Sequence, residues 1–223
     1  MFYDLYSLPF RSRIFIEVHE VNNMLRKLVG IAVFFLLIMT SVPMSMGCVG
    51  RVLFVGSLSS SADHLMSELL ATLINERTGT NVQIRFFDDR DQLYNAMKLT
   101  DEADRVDIIV EDTSHAMSHL KRQRLADLKQ EYLEAKELYE KKLDIIWLKP
   151  LGFRENQTDA EPTVIAPLLR RDVLTNFPIL PQILNKLAGT IDDETFDDLE
   201  SRVSGGEKPK NVAKDFLLTK KLI

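Results

Sequence analysis

The sequence predicts an α/β fold in which an open, mostly parallel sheet is flanked by helices. Three observations carry this expectation. Short apolar runs at 52–55, 106–110 and 145–148 alternate with stretches of helical period, the order produced when strands are joined by helical crossovers. The run Val106-Asp107-Ile108-Ile109-Val110 is almost wholly apolar, as a strand covered on both faces requires. Glycines fall where helical patterns stop, at Gly79, Gly189 and Gly205-Gly206.

Each element follows from its local pattern. Residues 52–55 form a strand that ends at Gly56-Ser57, and a serine-rich loop leads into a helix marked by Leu65, Leu69, Leu70, Leu73 and Ile74. Val82-Gln83-Ile84-Arg85-Phe86 alternates like a half-buried strand. Leu93, Ala96 and Met97 mark a short helix before the third strand at 106–110. From 125 to 143, apolar side chains recur at helical spacing among Glu and Lys, which predicts a surface helix with solvated charges. Residues 145–148 are a buried strand stopped by Lys149-Pro150, 163–169 are extended, and helices are expected over 179–187, 192–203 and 209–218.

The amino-terminal quarter reads differently. Arg26 and Lys27 precede an apolar run at 28–39, and Pro43, Ser45 and Gly47 lead to Cys48, the chain's single cysteine. This is the layout of a lipoprotein signal peptide over 24–47, with Cys48 as the lipidated residue. A retained membrane anchor is the alternative, although the apolar run is short against the roughly 20 residues a spanning helix needs. Residues 1–23, with Asp4, Glu17 and Glu20 among aromatics, fit no leader; Met24 is the better start, leaving 1–23 as a non-native or poorly ordered extension. The expected organisation is therefore 1–23, 24–47 and a single domain over 48–223, anchored to the membrane and exposed to the periplasm or cell surface.

Charge narrows the function classes. The chain has 28 Lys and Arg against 33 Asp and Glu; removal of residues 1–47 leaves 24 against 30. Basic residues cluster only in Lys121-Arg122-Gln123-Arg124 and Lys220-Lys221, too little for a nucleic-acid-binding face. No Gly-x-Ser-x-Gly elbow, phosphate-cradling glycine loop or free thiol is present once Cys48 is lipidated. No enzymatic activity, catalytic residue or cofactor is expected.

The order of these pieces resembles the substrate-binding proteins of ABC transporters for glycine betaine, choline, carnitine and related osmoprotectants. Residues 167–174, 177–189, 191–199 and 212–217 resemble that family's closing helices. Upstream, Val55-Gly56-Ser57, Glu68-Leu69-Leu70, Thr78-Gly79, Val106-Asp107, Glu111 with Thr113, and Ile146-Trp147-Leu148-Lys149-Pro150-Leu151-Gly152-Phe153 fit as well. The resemblance implies one lobe of a type II periplasmic-binding-protein-like fold. The family builds its second lobe after the Gly-Phe stretch, whereas only residues 154–161 separate Phe153 from Pro162, enough for a loop. It further implies an extracytoplasmic solute-binding component of an importer, with a permease partner and a small amine or quaternary ammonium solute.

Ligands of open α/β sheets sit beyond the carboxyl ends of the strands. That rule selects the loops at 56–63 and 111–115, and from them Ser57, Ser59, Glu111, Asp112 and Thr113 as ligand-binding candidates. Serine hydroxyls there can hold an anion or merely cap a helix, and Asp112 can meet a cation or serve as an N-cap. Quaternary amines are normally held by ring faces. This sequence has Asp112 where the family places an aromatic, and its remaining aromatics read as core. Glu111, His115 and His119 share a helix face if the helix begins at Glu111, a weak metal pattern, and no metal site is assigned. Two further readings stand beside solute capture: a non-transporting interaction or scaffold protein derived from the lobe, and a remnant reading frame without activity.

Overall fold

The structure, a computed structural model, describes residues 50–154 and 162–223. The expected extension at 1–23, the leader at 24–47 and Cys48 lie outside the described residues.

Strand β1 (Leu53–Leu58) runs past its expected end. All six of its residues pair in parallel with β2 (Val82–Phe87), so Gly56 and Ser57 are strand rather than loop. The glycine is needed for packing. A Cβ at Gly56 would lie 2.3 Å from Leu93 Cδ1 and 2.9 Å from Val106 Cγ1, so its absence lets helix α2 (Arg90–Ala96) settle on the strand. Between β1 and β2 lies α1 (Ser61–Thr78), capped by the Ser60 hydroxyl, which accepts from the Asp63 N–H. It is ended by Gly79 at φ 69°, a left-handed position that glycine adopts without strain.

The third strand, β3 (Ile108–Asp112), begins two residues later than the apolar run suggests. Asp107 is the reason. Its carboxylate accepts from the Phe54 N–H at 3.0 Å, and its own N–H donates to the Phe54 carbonyl at 2.8 Å, a clamp that sets the Val55↔Ile108 register. Beyond β3 come α3 (Thr113–His119), α4 (Leu128–Leu143), β4 (Ile145–Trp147), β5 (Gly152–Arg154) and β6 (Thr163–Arg170). The sheet order is β2-β1-β3-β6-β4, with β5 also on β6. Only β6 runs against the others: it is antiparallel to β3 on one edge and to β4, then β5, on the other. Arg154 pairs with Thr163, which sets the end of β5 beside the start of β6.

Alternation along the strands feeds two cores. Ile108 and Leu169 face a cluster with Leu69, Leu73, Leu184, Phe196 and Leu217, under α1 and the carboxyl-terminal helices. Ile109 and Leu168 face a second cluster with Tyr94, Met117, Tyr139 and Trp147, under α2 to α4. Helices α5 (Val173–Asn176), α6 (Leu180–Leu184), α7 (Asp193–Ser204) and α8 (Pro209–Thr219) complete the chain. The single helix expected over 179–187 is α6 followed by a tight 3₁₀ turn, Asn185–Leu187.

One expectation for α4 needs correction. Its charges are not all solvated: Glu131 is fully buried. The Glu131 carboxylate accepts from Arg124 Nε and from the Leu125 N–H, both at 2.8 Å, and so fastens the α3–α4 connection beneath the helix.

Candidate functional site

A cavity of about 450 Å³ opens at the carboxyl ends of β1 and β3, the place the topology favours. The start of α1 contributes Ala62, Asp63 and Met66; Arg90 comes from the first turn of α2; β3 supplies Val110, Glu111 and Asp112. Ser114, His115, Arg124, Thr163, Ile165 and Phe196 close the remaining wall.

Glu111 sits at its base, on the strand and buried. Arg90 Nη1 donates to Oε1 at 2.6 Å, Tyr94 Oη to Oε2 at 2.7 Å, and the Asp112 N–H to Oε1 at 2.9 Å. Tyr94 Oη in turn lies 2.7 Å from Tyr139 Oη. Burial pushes the Glu111 carboxyl up to about 7, with Asp112 adding to the rise and Arg90 opposing it. Burial, and the Glu111 charge after it, raise the Tyr94 phenol as well, so this hydroxyl stays a donor.

Asp112 is committed locally. Its carboxylate caps α3 by accepting from the His115 N–H at 2.9 Å, and it meets His115 Nδ1 at 2.5 Å. Burial works against its charge, but the two His115 bonds and the charges of His115 and Arg90 hold the carboxyl below its ordinary range. The same hydrogen bond raises the imidazole.

The structure brings Glu111 and Asp112 to the cavity wall and leaves the other three candidates off it. Ser57 is buried and donates to the Leu58 carbonyl, Ser59 is exposed, and the buried Thr113 hydroxyl lies 3.0 Å from that of Thr163. The helix-face pattern Glu111, His115, His119 is not formed. The helix begins at Thr113, and His119 stacks on Tyr94 at a centroid distance of 3.9 Å. Glu111, Asp112 and His115 do offer ligand atoms within 4.8 Å of one another. Arg90 already neutralises that cluster, lying 2.6 Å from Glu111 and 3.9 Å from Asp112, so a metal ion would have to displace a guanidinium.

Arg90, Arg124 and Thr163 were missing from the sequence-derived set. Arg90 follows the carboxyl end of β2, so the strand-end rule applied to that strand would have found it. Arg124 and Thr163 reach the cavity through long-range packing that leaves no local signal. Among the described residues, Phe196 is the one aromatic side chain lining the cavity, and it is 3% exposed.

Comparison with known proteins agrees with this architecture. Residues 156–218 match the family model for the substrate binding domain of ABC-type glycine betaine transport systems. The fold is similar to the crystal structure of a glycine betaine/carnitine/choline ABC transporter, with a TM-score of 0.67 and 14% identity over 78% of this chain and 99% of that one. It is equally similar to apo YehZ from Escherichia coli, at TM-score 0.67 and 14% identity over 78% and 100% of the respective chains. No curated protein matches by sequence. The resemblance drawn from the sequence therefore holds, for the fold across the described residues and for the family over 156–218. No helix among the described residues is long and apolar enough to cross a membrane.

Proposed function

We propose that this chain is an extracytoplasmic solute-binding component of an ABC importer for glycine betaine or a related small amine, tethered through Cys48 and delivering solute to a permease. One observation carries the reading: the stretch that matches the family, 156–218, supplies Thr163, Ile165 and Phe196 to the cavity at the strand ends. The tether is the expectation drawn from the leader.

A single lobe encloses a solute on one side only, so water remains in the site and binding is weak. Thermal unfolding of the full chain in detergent should shift upward with glycine betaine, carnitine or choline. A solute at 100 times its Kd stabilises by about 2.7 kcal/mol. No shift at 100 mM of any of the three would contradict the proposal. The second reading, an interaction protein that has given up solute capture, draws support from Glu111 and Asp112, whose carboxylates already have protein partners. A flat screen together with a stoichiometric protein partner would favour it.

A further inference from the structure

We propose that the outer edge of β2 and the cavity beside it form a second binding site, which takes an extended, uncharged peptide segment of another protein as an added strand. The site does not depend on the solute-binding reading above.

β2 is the end strand of the sheet. Its register with β1 decides which backbone groups are spent. The Leu53 N–H donates to the Asn81 carbonyl, and Leu53, Val55 and Ser57 stand opposite Val82, Ile84 and Phe86, so the parallel ladder joins β1 to Asn81, Gln83, Arg85 and Phe87. Val82, Ile84 and Phe86 therefore turn their N–H and C=O groups outward. Among the described residues nothing pairs with them. Folded proteins usually blunt such an edge with a lysine, a proline or a bulge. β2 has none of these: its six residues pair without a break. Its one charge is led away, because the Arg85 guanidinium lies over the Phe54 ring at 3.5 Å and donates to the Glu102 carbonyl at 2.8 Å.

A cavity of about 420 Å³ runs beside this edge, between β2, α1 and α8, and shares no lining residue with the one at the strand ends. Its floor is apolar. Val82, Ile84 and Phe86 alternate along the strand and so share one face, and a peptide laid along the edge would place every second side chain against them. Phe86 is 50% exposed, and His64 meets its ring edge-on at a centroid distance of 4.8 Å. In the walls, Lys214 pairs with Glu76 at 2.8 Å and Lys210 offsets Glu68, so apart from His64 the charges balance. No net field draws in a charged side chain, and the floor favours an apolar one. Main-chain hydrogen bonds to the edge supply affinity, and the alternate side chains supply specificity.

Amide hydrogen exchange, read by NMR on the full chain in detergent with the end-capped peptide Ser-Val-Ser-Val-Ser-Val-Ser, tests the site. At saturation, exchange should slow roughly tenfold or more at Ile84 and Phe86, and stay within about twofold at Gln83 and Arg85, whose amides already face β1. Asp or Lys in place of the central Val should each weaken binding roughly fivefold or more. Phe86→Asp should weaken the Val peptide about tenfold. If that variant fails to fold, the three peptides on the unaltered protein decide the same point. No binding up to 1 mM, or binding without protection of Ile84 and Phe86, would overturn the site. Charged peptides within twofold of the Val peptide would overturn the class of partner. Protection of Ile84 and Phe86 that grows with protein concentration in the absence of peptide would give the edge to a second copy of this chain and overturn the proposal as well.

Discussion

Gly152→Ala is expected to cost about 3 kcal/mol or more of folding stability, although the change adds a single methyl group. A Cβ at Gly152 would lie 1.7 Å from the Ile191 carbonyl oxygen and 2.7 Å from its carbon. Backbone atoms cannot rotate aside as a side chain does. The two segments are stitched together just before the contact, since the Gly189 N–H donates to the Pro150 carbonyl at 3.0 Å and the Ile191 N–H to the Leu151 carbonyl at 3.2 Å. Room for the methyl requires these segments to part, with loss of both hydrogen bonds at about 1 kcal/mol each and an overpacking cost of about 1 to 3 kcal/mol. The consequence reaches the cavity, because Asp192 caps α7 and α7 carries Phe196 to the wall. Urea unfolding should show a lower midpoint with an unchanged slope. Gly50→Ala, where a Cβ meets nothing within 4 Å, is the control and should stay within about 0.5 kcal/mol of the unaltered chain. Equal stability of the two variants would mean that β5 does not rest against the segment before α7.

The second large effect belongs to Glu111 and depends on pH. Its carboxyl is faced by Arg90 and Tyr94 from α2, Asp112 from its own strand, His115 from α3 and, through Tyr94, Tyr139 from α4. With the folded carboxyl pushed up to about 7 from an ordinary 4.5, the native chain holds this proton more tightly than the unfolded chain does. The resulting stability is fully present below about pH 4.5 and is lost as pH rises through 7. At about 1.4 kcal/mol per pH unit this amounts to something on the order of 3 kcal/mol. Glu111→Gln has no proton to lose. Relative to this variant, the unaltered protein should lose about 3 kcal/mol of stability between pH 4.5 and pH 8. Asp112, held low, contributes the opposite trend, lost as pH falls, and the comparison removes it to first order because both proteins carry Asp112. Chemical unfolding of both proteins at the two pH values gives the answer. A difference independent of pH would mean that the Arg90 ion pair keeps Glu111 ionised throughout.

These two residues also show where the sequence was informative and where it was not. Strand and helix order was legible because buried strands demand apolar runs and amphipathic helices a 3.6-residue period. Boundaries failed where a residue's role came from a distant partner. Gly56 reads as the end of a strand, yet it is a strand residue kept small by Leu93 and Val106. Asp107 reads as part of the third strand, yet it clamps β1 from just before that strand begins. Glu131 reads as a solvated helix charge because Arg124, the guanidinium that justifies its burial, sits in the preceding connection. The candidate site was half legible for the same reason. Strand ends point to Glu111 and Asp112, but whether a strand-end side chain faces the cavity depends on where the strand stops, and β1 continuing through Leu58 turns Ser57 inward. The carboxyl-terminal helices were legible from their local pattern and the glycines that separate them, and the match over 156–218 falls on β6 and on these helices.

Backbone amide shifts recorded by NMR during titration of the isotopically labelled chain with glycine betaine test the central claim most directly, that the strand ends of a single lobe form the solute site. Shifts confined to Asp63, Arg90, Glu111 to His115 and Thr163 to Ile165, saturating together, are the predicted result. Shifts gathered instead around His64, Phe86 and Lys214, which line a separate cavity of about 420 Å³ beside β2, or no shifts at 100 mM solute, would contradict it.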